Sequence, residues 1–505
     1  MAMQLYDEND LDVLKNKIGE IIEKIEETKL QIYEPTKKEQ MEVNHNVLEY
    51  LKKNKRKIYG GYAQNKIIIQ KDKKDAFYKE DIIPDIDFYS TEPILDLIKI
   101  CNELHDKGYK NVTGQEAAHT ETYKIFVNQV DVCDISYVPA NIYHKLPFVE
   151  IDGFYYVQSS FVMIDMYRMQ TDPHFSSFRW EKQLSRIMKL QKHFPFKKTN
   201  SKLPEIKAND KNVDFLLNSV YEFAKDNESI IMIGEYAYDY LINESGIKKD
   251  KIIGEKFKRS GTPFYEMVSL NYRIDGEKLL KFIKKNHNDI FHDITITEYY
   301  PFWNLLGYSF VLKYKKNTIA YVINYKRHCV PIKTVKPLIF RDNQVINDEN
   351  GKKINIGSFA YTLLNSMIFS LKGKVDNNKE RMNYCNIMTS HLIEARNYHF
   401  KKENKTMFDE TLFQEYIPDC VGETMDPMRE NRLVKDQKYK EGKRGDSLFF
   451  RYKPEEGKRD EISNYKFANS SGNPIKNLKN IRINNIEGMD TKQRSLNGGK
   501  KKLIN

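Results

Sequence analysis

The chain has 505 residues, 40% of them hydrophobic and 30% charged, with a formal net charge of +11. That length suggests roughly two to four domains, and the composition fits a soluble globular body. No apolar run approaches the ~18 residues of a membrane span, and the acidic start "MAMQLYDENDLD" lacks the basic and apolar regions of a secretion signal.

Five cysteines (Cys101, Cys133, Cys329, Cys385, Cys420) are odd in number and far apart, without any Cys-x-x-Cys. This fits a reducing compartment and argues against a zinc site or a disulfide framework. The positive charge is concentrated at one end. From Arg432 to Asn505 there are 19 Lys+Arg against 9 Asp+Glu. This segment, 431–505, is rich in Asn, Gly and Ser and reads either as a flexible solvated tail or as a polyanion-binding arm.

In chain order, Leu11, Leu14, Ile18, Ile21 and Ile25 follow Asn9-Asp10 and form an amphipathic helix within an N-terminal segment, 1–40. Its heptad seam is short, so the helix is expected to pack on the body rather than to dimerise. A second helix follows Pro35, with Met41, Leu48 and Leu51 on one face, and leads into "KRKIYGGYAQNKIII", Lys55 to Ile69. Gly60 and Gly61 open a helix there and leave backbone amides bare, as phosphate-holding turns do; a plain strand-to-helix turn is the bland alternative.

"EDIIPDIDFYS" reads as a strand and "PILDLIKICNELHDKG" as a helix ending at Gly108. "ETYKIFVNQVDVCDISYVP" reads as a hairpin around Asn128-Gln129. Ser160 to Phe194 is helical, broken near "TDPHFSS". A polar link around 195–212 separates a first domain, 41–195, from a second mixed region, 212–345, and helical pattern dominates 346–430. The class is α+β.

Asp85 and Asp87 in "PDIDFYS" share one face of a strand. Two crowded carboxylates repel unless a cation lies between them, and Mg²⁺ with a phosphate-bearing substrate is a natural resolution. Asp134 in "VDVCDISYV" supplies a third acid among core-like neighbours; Asp131, nearer the turn, is the other candidate. Arg179, Lys182 and Arg186 form one cationic helix face beside Trp180, either simply solvated or touching phosphates.

A Gly-Gly turn opening a helix, a D-x-D strand and a later strand aspartate together resemble the layout of the DNA polymerase β-like nucleotidyltransferases. The departure is Gly61, followed by Tyr62, where many relatives carry serine. "FVMIDMYRMQTDPHFSSFRWEKQLSRIMKL" is similar to the segment after the catalytic strands in viral poly(A) polymerase catalytic subunits of the mimivirus and megavirus kind, with poxvirus enzymes more distant. The similarity spans roughly residues 40–425.

That resemblance implies template-independent addition of AMP from ATP to RNA 3′ ends. Asp85, Asp87 and Asp134 would be catalytic and hold two Mg²⁺ or Mn²⁺ ions. Gly60, Gly61 and Tyr62, with Arg179, Lys182 and Arg186, would bind the nucleotide. The implied partners are the RNA 3′ end, ATP and a second copy in a homodimer, with no membrane, in the host-cell cytoplasm or virion. The rival readings are a terminal uridylyltransferase, a CCA-adding enzyme, or a non-catalytic RNA-binding subunit.

"IIMIGEYAYDYLINES", Ile230 to Ser245, repeats the opening stretch, with Gly234-Glu235-Tyr236-Ala237 falling on Gly60-Gly61-Tyr62-Ala63. On this alignment Ser269-Leu270-Asn271 replaces the D-x-D, and Val322 replaces Asp134. The expectation is an internal duplication whose second half has lost its chemistry.

Overall fold

The computed structural model describes residues 5, 7–32, 36–78, 82–199, 201, 203, 210–247, 263–325, 328–341, 344–348, 352–418, 420–459, 467 and 470–475. Two compact units divide the chain. The first comprises Met1–Val138, Phe148–Gln158 and Pro427–Phe467; the second comprises Pro139–Pro147, Ser159–Asp426 and Ala468–Asn505.

In the first unit, helices α1 (Glu8–Ile32) and α2 (Lys37–Lys53) precede β1 (Lys57–Tyr59) and α3 (Gly60–Ile69). Then follow β2 (Ile86–Ser90), α4 (Pro93–Asp106), β3 (Thr113–Glu116), β4 (Thr122–Val127), β5 (Val130–Tyr137), β6 (Phe148–Ile151) and β7 (Phe154–Val157). The sheet runs β3-β4-β5-β2-β1-β7-β6, with the two-residue β17 (Arg451–Tyr452) added beside β3. Strand alternation sends Ile58, Ile86, Phe88, Cys133, Ile135 and Ile125 into the core. Helices α2 and α4 pack against the sheet, bringing Val43, Val47, Leu51, Leu97, Ile98 and Cys101 to that core. Asn128 and Gln129 both take positive φ, 47° and 68°, which lets a two-residue turn join β4 to β5.

Three expectations change here. The buried face of α2 is Val43, Val47, Tyr50 and Leu51, whereas Met41 is exposed. The apolar seam of α1 does not pack on the body: Leu11, Leu14, Ile18, Ile21 and Ile25 remain 38–51% exposed. The basic end is not wholly a tail, because it forms a helix, Pro427–Lys440, and contributes β17 to the first sheet. Residues 476–505 lie outside those described.

After the short helix Ala140–Tyr143, the second unit carries α5 (Ser159–Gln170) and α6 (Trp180–His193), followed by α7 (Lys211–Lys225), β8 (Ile230–Ile233), α8 (Gly234–Glu244), β9 (Tyr265–Ser269) and α9 (Tyr272–Asn286). Then come β10 (Ile294–Tyr299), β11 (Ser309–Tyr314), β12 (Asn317–Asn324), β13 (Ile332–Val335), the hairpin β14 (Leu338–Arg341) and β15 (Gln344–Asn347), and β16 (Ile354–Gly357). A helical hairpin, α10 (Phe359–Val375) and α11 (Lys379–Glu403), completes it.

This sheet runs β10-β11-β12-β9-β8-β16-β13. The order and strand directions match β3-β4-β5-β2-β1-β7-β6 strand for strand, as a duplication requires. Both hairpins even carry a register shift at corresponding places, Ile125/Phe126 and Leu312/Lys313. The register corrects the alignment expected from sequence. Tyr59 pairs with Asp87 and Asp87 with Asp134; Ile233 pairs with Glu266 and Glu266 with Tyr321. Glu266 therefore stands where Asp87 does, and Tyr321, rather than Val322, stands where Asp134 does. Ser269 corresponds to Ser90 at the strand end, so Ser269-Leu270-Asn271 is not the D-x-D position.

A further correction concerns the cysteines. Cys329 and Cys420 are joined as a disulfide, while Cys101, Cys133 and Cys385 are free and buried. Among the described residues no helix is long and apolar enough to cross a membrane.

Candidate active site

One face of the first sheet collects polar side chains in rows across the strands. The register Tyr59–Asp87–Asp134–Lys124 makes one row, and Tyr89–Ser136–Thr122 lies in the next. Tyr59 stacks on Tyr89 with ring centroids 3.9 Å apart, and its hydroxyl bonds Ser136 Oγ at 2.8 Å. Thr122 Oγ1 lies 3.2 Å from the same oxygen. These contacts fix the floor beside the two aspartates. Asp85 sits just before β2 rather than within it and is exposed.

Adjacent strands lie ~5 Å apart, so Asp87 and Asp134 repel by about 3 kcal/mol at an effective dielectric of ~20. Lys124 offsets part of this. Its ammonium is 2.9 Å from Asp134 Oδ1 and also pairs with Asp131. Burial raises the Asp134 carboxyl above its ordinary range; Lys124 pulls it down, and Asp131 and Asp85 add to the rise. Burial alone would lower the Lys124 ammonium, but its bonds to Asp131 and Asp134 prevail and hold it above its ordinary range.

Asp131 and Asp134 are three apart and would face opposite sides of a regular strand. The register shift in the hairpin brings both to one lysine. Asp131 is nevertheless the more exposed of the two, at the turn end of the hairpin.

Gly60 meets Asp87 from the helix side. Its φ is +71°, and a Cβ there would lie 2.9 Å from Asp87 Cγ and closer still to Oδ2. Only a glycine lets the backbone come this near the carboxylate. No side chain caps α3, because its N-cap is Tyr59, which makes no capping bond. The first amides of α3, at Gly60, Gly61 and Tyr62, thus carry the helix's positive end beside the carboxylates. Tyr62 is half-buried, edge-on to Tyr156 and under the Lys66 ammonium.

Asp87 and Asp134 on one sheet face, with Asp85 just before the same strand, lie beside a bare helix terminus; such all-oxygen donors are of the kind that Mg²⁺ or Mn²⁺ takes together with phosphate oxygens. Asp87, Asp134, Gly60, Gly61 and Tyr62 are brought together, with Asp85 two residues from Asp87. Arg179, Lys182 and Arg186 belong to the second unit, on the turn Ser177–Arg179 and on α6. Arg179 and Lys182 are exposed and Arg186 half-buried. Lys124 and Tyr59 were missed from sequence.

The corresponding place in the second unit is closed. Gly234 has φ +59°, and a Cβ there would lie 2.7 Å from Glu266 Cδ. Glu266 is buried and ion-paired with Arg381 of α11, whose guanidinium also lies over Phe369 and Tyr384. Tyr321 is in edge contact with Phe369 of α10 and accepts from Ser309 Oγ. A helical hairpin thus fills the face that in the first unit carries the carboxylates.

Residues 45–176 match the family described as "Poly(A) polymerase catalytic subunit". Residues 188–485 match the family described as "APMV, Putative poly(A) polymerase, catalytic subunit, C-terminal". A "Putative poly(A) polymerase catalytic subunit" of Acanthamoeba polyphaga mimivirus is 32% identical over 496 residues, covering 93% of this chain and 83% of that protein. Proteins of the same description from African swine fever virus are 26% identical over 155 residues, 30% of this chain and 32% of theirs. The crystal structure of the Megavirus polyadenylate synthase superposes with a TM-score of 0.82 at 30% identity, covering 96% of this chain and 97% of that one. The chain belongs to the viral poly(A) polymerase catalytic subunit family, enzymes with a nucleotidyltransferase-like α+β fold.

Proposed function

We propose that this chain extends RNA 3′ ends with AMP from ATP, without a template, at Asp85, Asp87 and Asp134, releasing pyrophosphate. The observation that carries this reading is the direct cross-strand pairing of Asp87 with Asp134 against the Gly60 backbone. In this reading the three carboxylates hold two divalent cations, Mg²⁺ or Mn²⁺. When bound, such ions activate the RNA 3′-hydroxyl and neutralise charge on the triphosphate and departing pyrophosphate. The amides at Gly60, Gly61 and Tyr62 receive the nucleotide's phosphates. Lys124 holds Asp134 in its orientation and limits carboxylate repulsion before substrate arrives. Arg179, Lys182 and Arg186 offer a cationic face to the triphosphate or the RNA backbone.

Extension of a labelled RNA by the purified chain, with each of the four NTPs separately, tests this. ATP-only extension supports it. Preference for UTP, or addition that stops after about two residues with CTP, selects one of the enzyme alternatives, and no extension selects the RNA-binding one.

The basic end supplies the second element of the reading. Residues 476–505 carry 8 Lys+Arg against 2 Asp+Glu. A chain ending at Ile475 keeps β17 and should bind RNA more weakly. Its salt dependence should be flatter, by ~0.7 of log–log slope for each RNA phosphate that the shortened chain no longer neutralises. Single-addition rates at saturating RNA should hardly change. An unchanged slope would assign the segment elsewhere.

A homodimer is the third. The exposed Leu11, Leu14, Ile18, Ile21 and Ile25 follow the a and d positions of a heptad, and a second copy of α1 is the surface that would bury them. Ile18→Glu with Ile21→Glu should then lower the mass measured by sedimentation to one chain. A wild-type monomer, or a variant that remains dimeric, would exclude α1 as the interface.

A further inference from the structure

We infer that His174, Cys329 and Cys420 form a zinc site in the reduced protein, and that the disulfide between the two cysteines is its oxidised, metal-free form. The three residues come from the short helix Pro173–Ser176, the connection between β12 and β13, and the segment after α11. One ligand atom from each lies within 4.8 Å of the others. His174 Nε2 is 3.6 Å from Cys420 Sγ, and Nδ1 is 3.8 Å from Cys329 Sγ.

The imidazole is oriented as a metal-binding one is. His174 Nδ1 lies 3.1 Å from Thr424 Oγ1, a hydroxyl that also accepts the Cys329 amide at 3.2 Å. A proton on Nδ1, donated to Thr424, leaves the Nε2 lone pair toward Cys420, and such outer hydrogen bonds accompany most metal-bound histidines. The approach of the two cysteine segments does not rest on the bond between the sulfurs alone. Val330 and Val421 exchange two backbone hydrogen bonds, 2.8 and 3.0 Å, which hold the two cysteine segments together, with cysteine Cα atoms 5.4 Å apart.

Two thiolates at ~2.3 Å from a tetrahedral zinc stand about 3.8 Å from one another. From a shared bond the sulfurs reach that spacing by rotation about χ1. Two thiolates and an imidazole are soft to borderline donors that favour zinc over the hard Mg²⁺ or Mn²⁺ suited to the carboxylate face. The charges of two thiolates and one Zn²⁺ cancel. His174 is exposed, so water reaches the fourth position.

The interconversion balances. A dithiol reductant gives two electrons and two protons to the Cys329–Cys420 bond and itself becomes a disulfide. The two thiols formed then lose their protons to solvent as the metal binds. Either the metal or the disulfide ties together Cys329 and Cys420, 91 residues apart in sequence; the metal would also tie in His174, 155 residues before Cys329.

The test uses the full chain, reduced with dithiothreitol, freed of reductant without oxygen, and titrated with Co²⁺. One equivalent should give thiolate-to-cobalt charge-transfer absorbance with tetrahedral visible bands, displaced by Zn²⁺. Cobalt held by carboxylates gives no thiolate band, so the candidate active site does not interfere. The signal should vanish in Cys329→Ser and Cys420→Ser. In His174→Ala and Thr424→Val, affinity should fall about tenfold or more. The oxidised wild-type chain should show no signal, a control that needs no variant to fold. Zinc should also protect Cys329 and Cys420 from alkylation in the reduced chain. Absence of a thiolate band in reduced protein, or a band equally strong in the cysteine variants, would overturn the assignment.

Discussion

Asp87→Asn is expected to reduce AMP incorporation by a hundredfold or more, on the order of what losing one preorganised charge partner at a phosphoryl-type centre costs. The same holds for Asp85→Asn and Asp134→Asn. RNA affinity should stay close to that of the parent, because these carboxylates repel a polyanion rather than hold it. The fold should not suffer. Asp87 faces Asp134 at strand spacing, and removing one of two like charges relieves repulsion, so the thermal midpoint without metal should be unchanged or higher. That combination separates a chemical defect from an unfolded one. Asp131→Asn should cost only a few-fold, since Asp131 lies at the exposed turn end of the hairpin and its bond is to Lys124. Single-turnover extension and filter binding read both quantities. Robust extension by Asp87→Asn would remove these carboxylates from the chemistry.

The parts of this arrangement that follow simple periodicity were legible in the sequence. Gly60-Gly61, the strand through Asp87 and the turn at Asn128-Gln129 are local signals, and each lies where spacing puts it. What depended on one extra residue was not legible. A regular two-residue hairpin would set Lys124 opposite Cys133; the register shift sets it opposite Asp134 instead, and no composition cue marks that shift. In the second copy the sequence sets Val322 on Asp134, one residue off: the parallel pairing of β12 with β9 places Tyr321 there, and nothing in an apolar strand distinguishes the two registers. Glu266 escaped notice because a single acid on an apolar strand resembles no motif until Gly234 and Arg381 are seen around it. The Cys329–Cys420 pair escaped for a different reason: sequence spacing says nothing about segments joined by a lone pair of backbone bonds.

The two glycines give the other large expected effect, and a comparison that separates chemistry from stability. In Gly60→Ala an L-residue must hold φ near +71°, at a cost of about 1–2 kcal/mol. Its Cβ would also occupy the place of the Asp87 carboxylate. The short aspartate side chain has to swing off the row it shares with Asp134, and the first turn of α3 shifts with it. Turnover should fall on the order of a hundredfold, for a modest loss of stability. Gly234→Ala meets the same geometry, φ +59° with a Cβ against Glu266. There the displaced carboxylate is buried and paired with Arg381, and breaking such a pair costs about 3–5 kcal/mol. The expected outcome is the reverse: a large drop in the thermal midpoint, with extension per folded molecule near the parent's. Denaturation midpoints and active-site-normalised rates for both variants decide it. If Gly234→Ala lost turnover while keeping its stability, the second unit would take part in the chemistry, and its closed face would need another explanation.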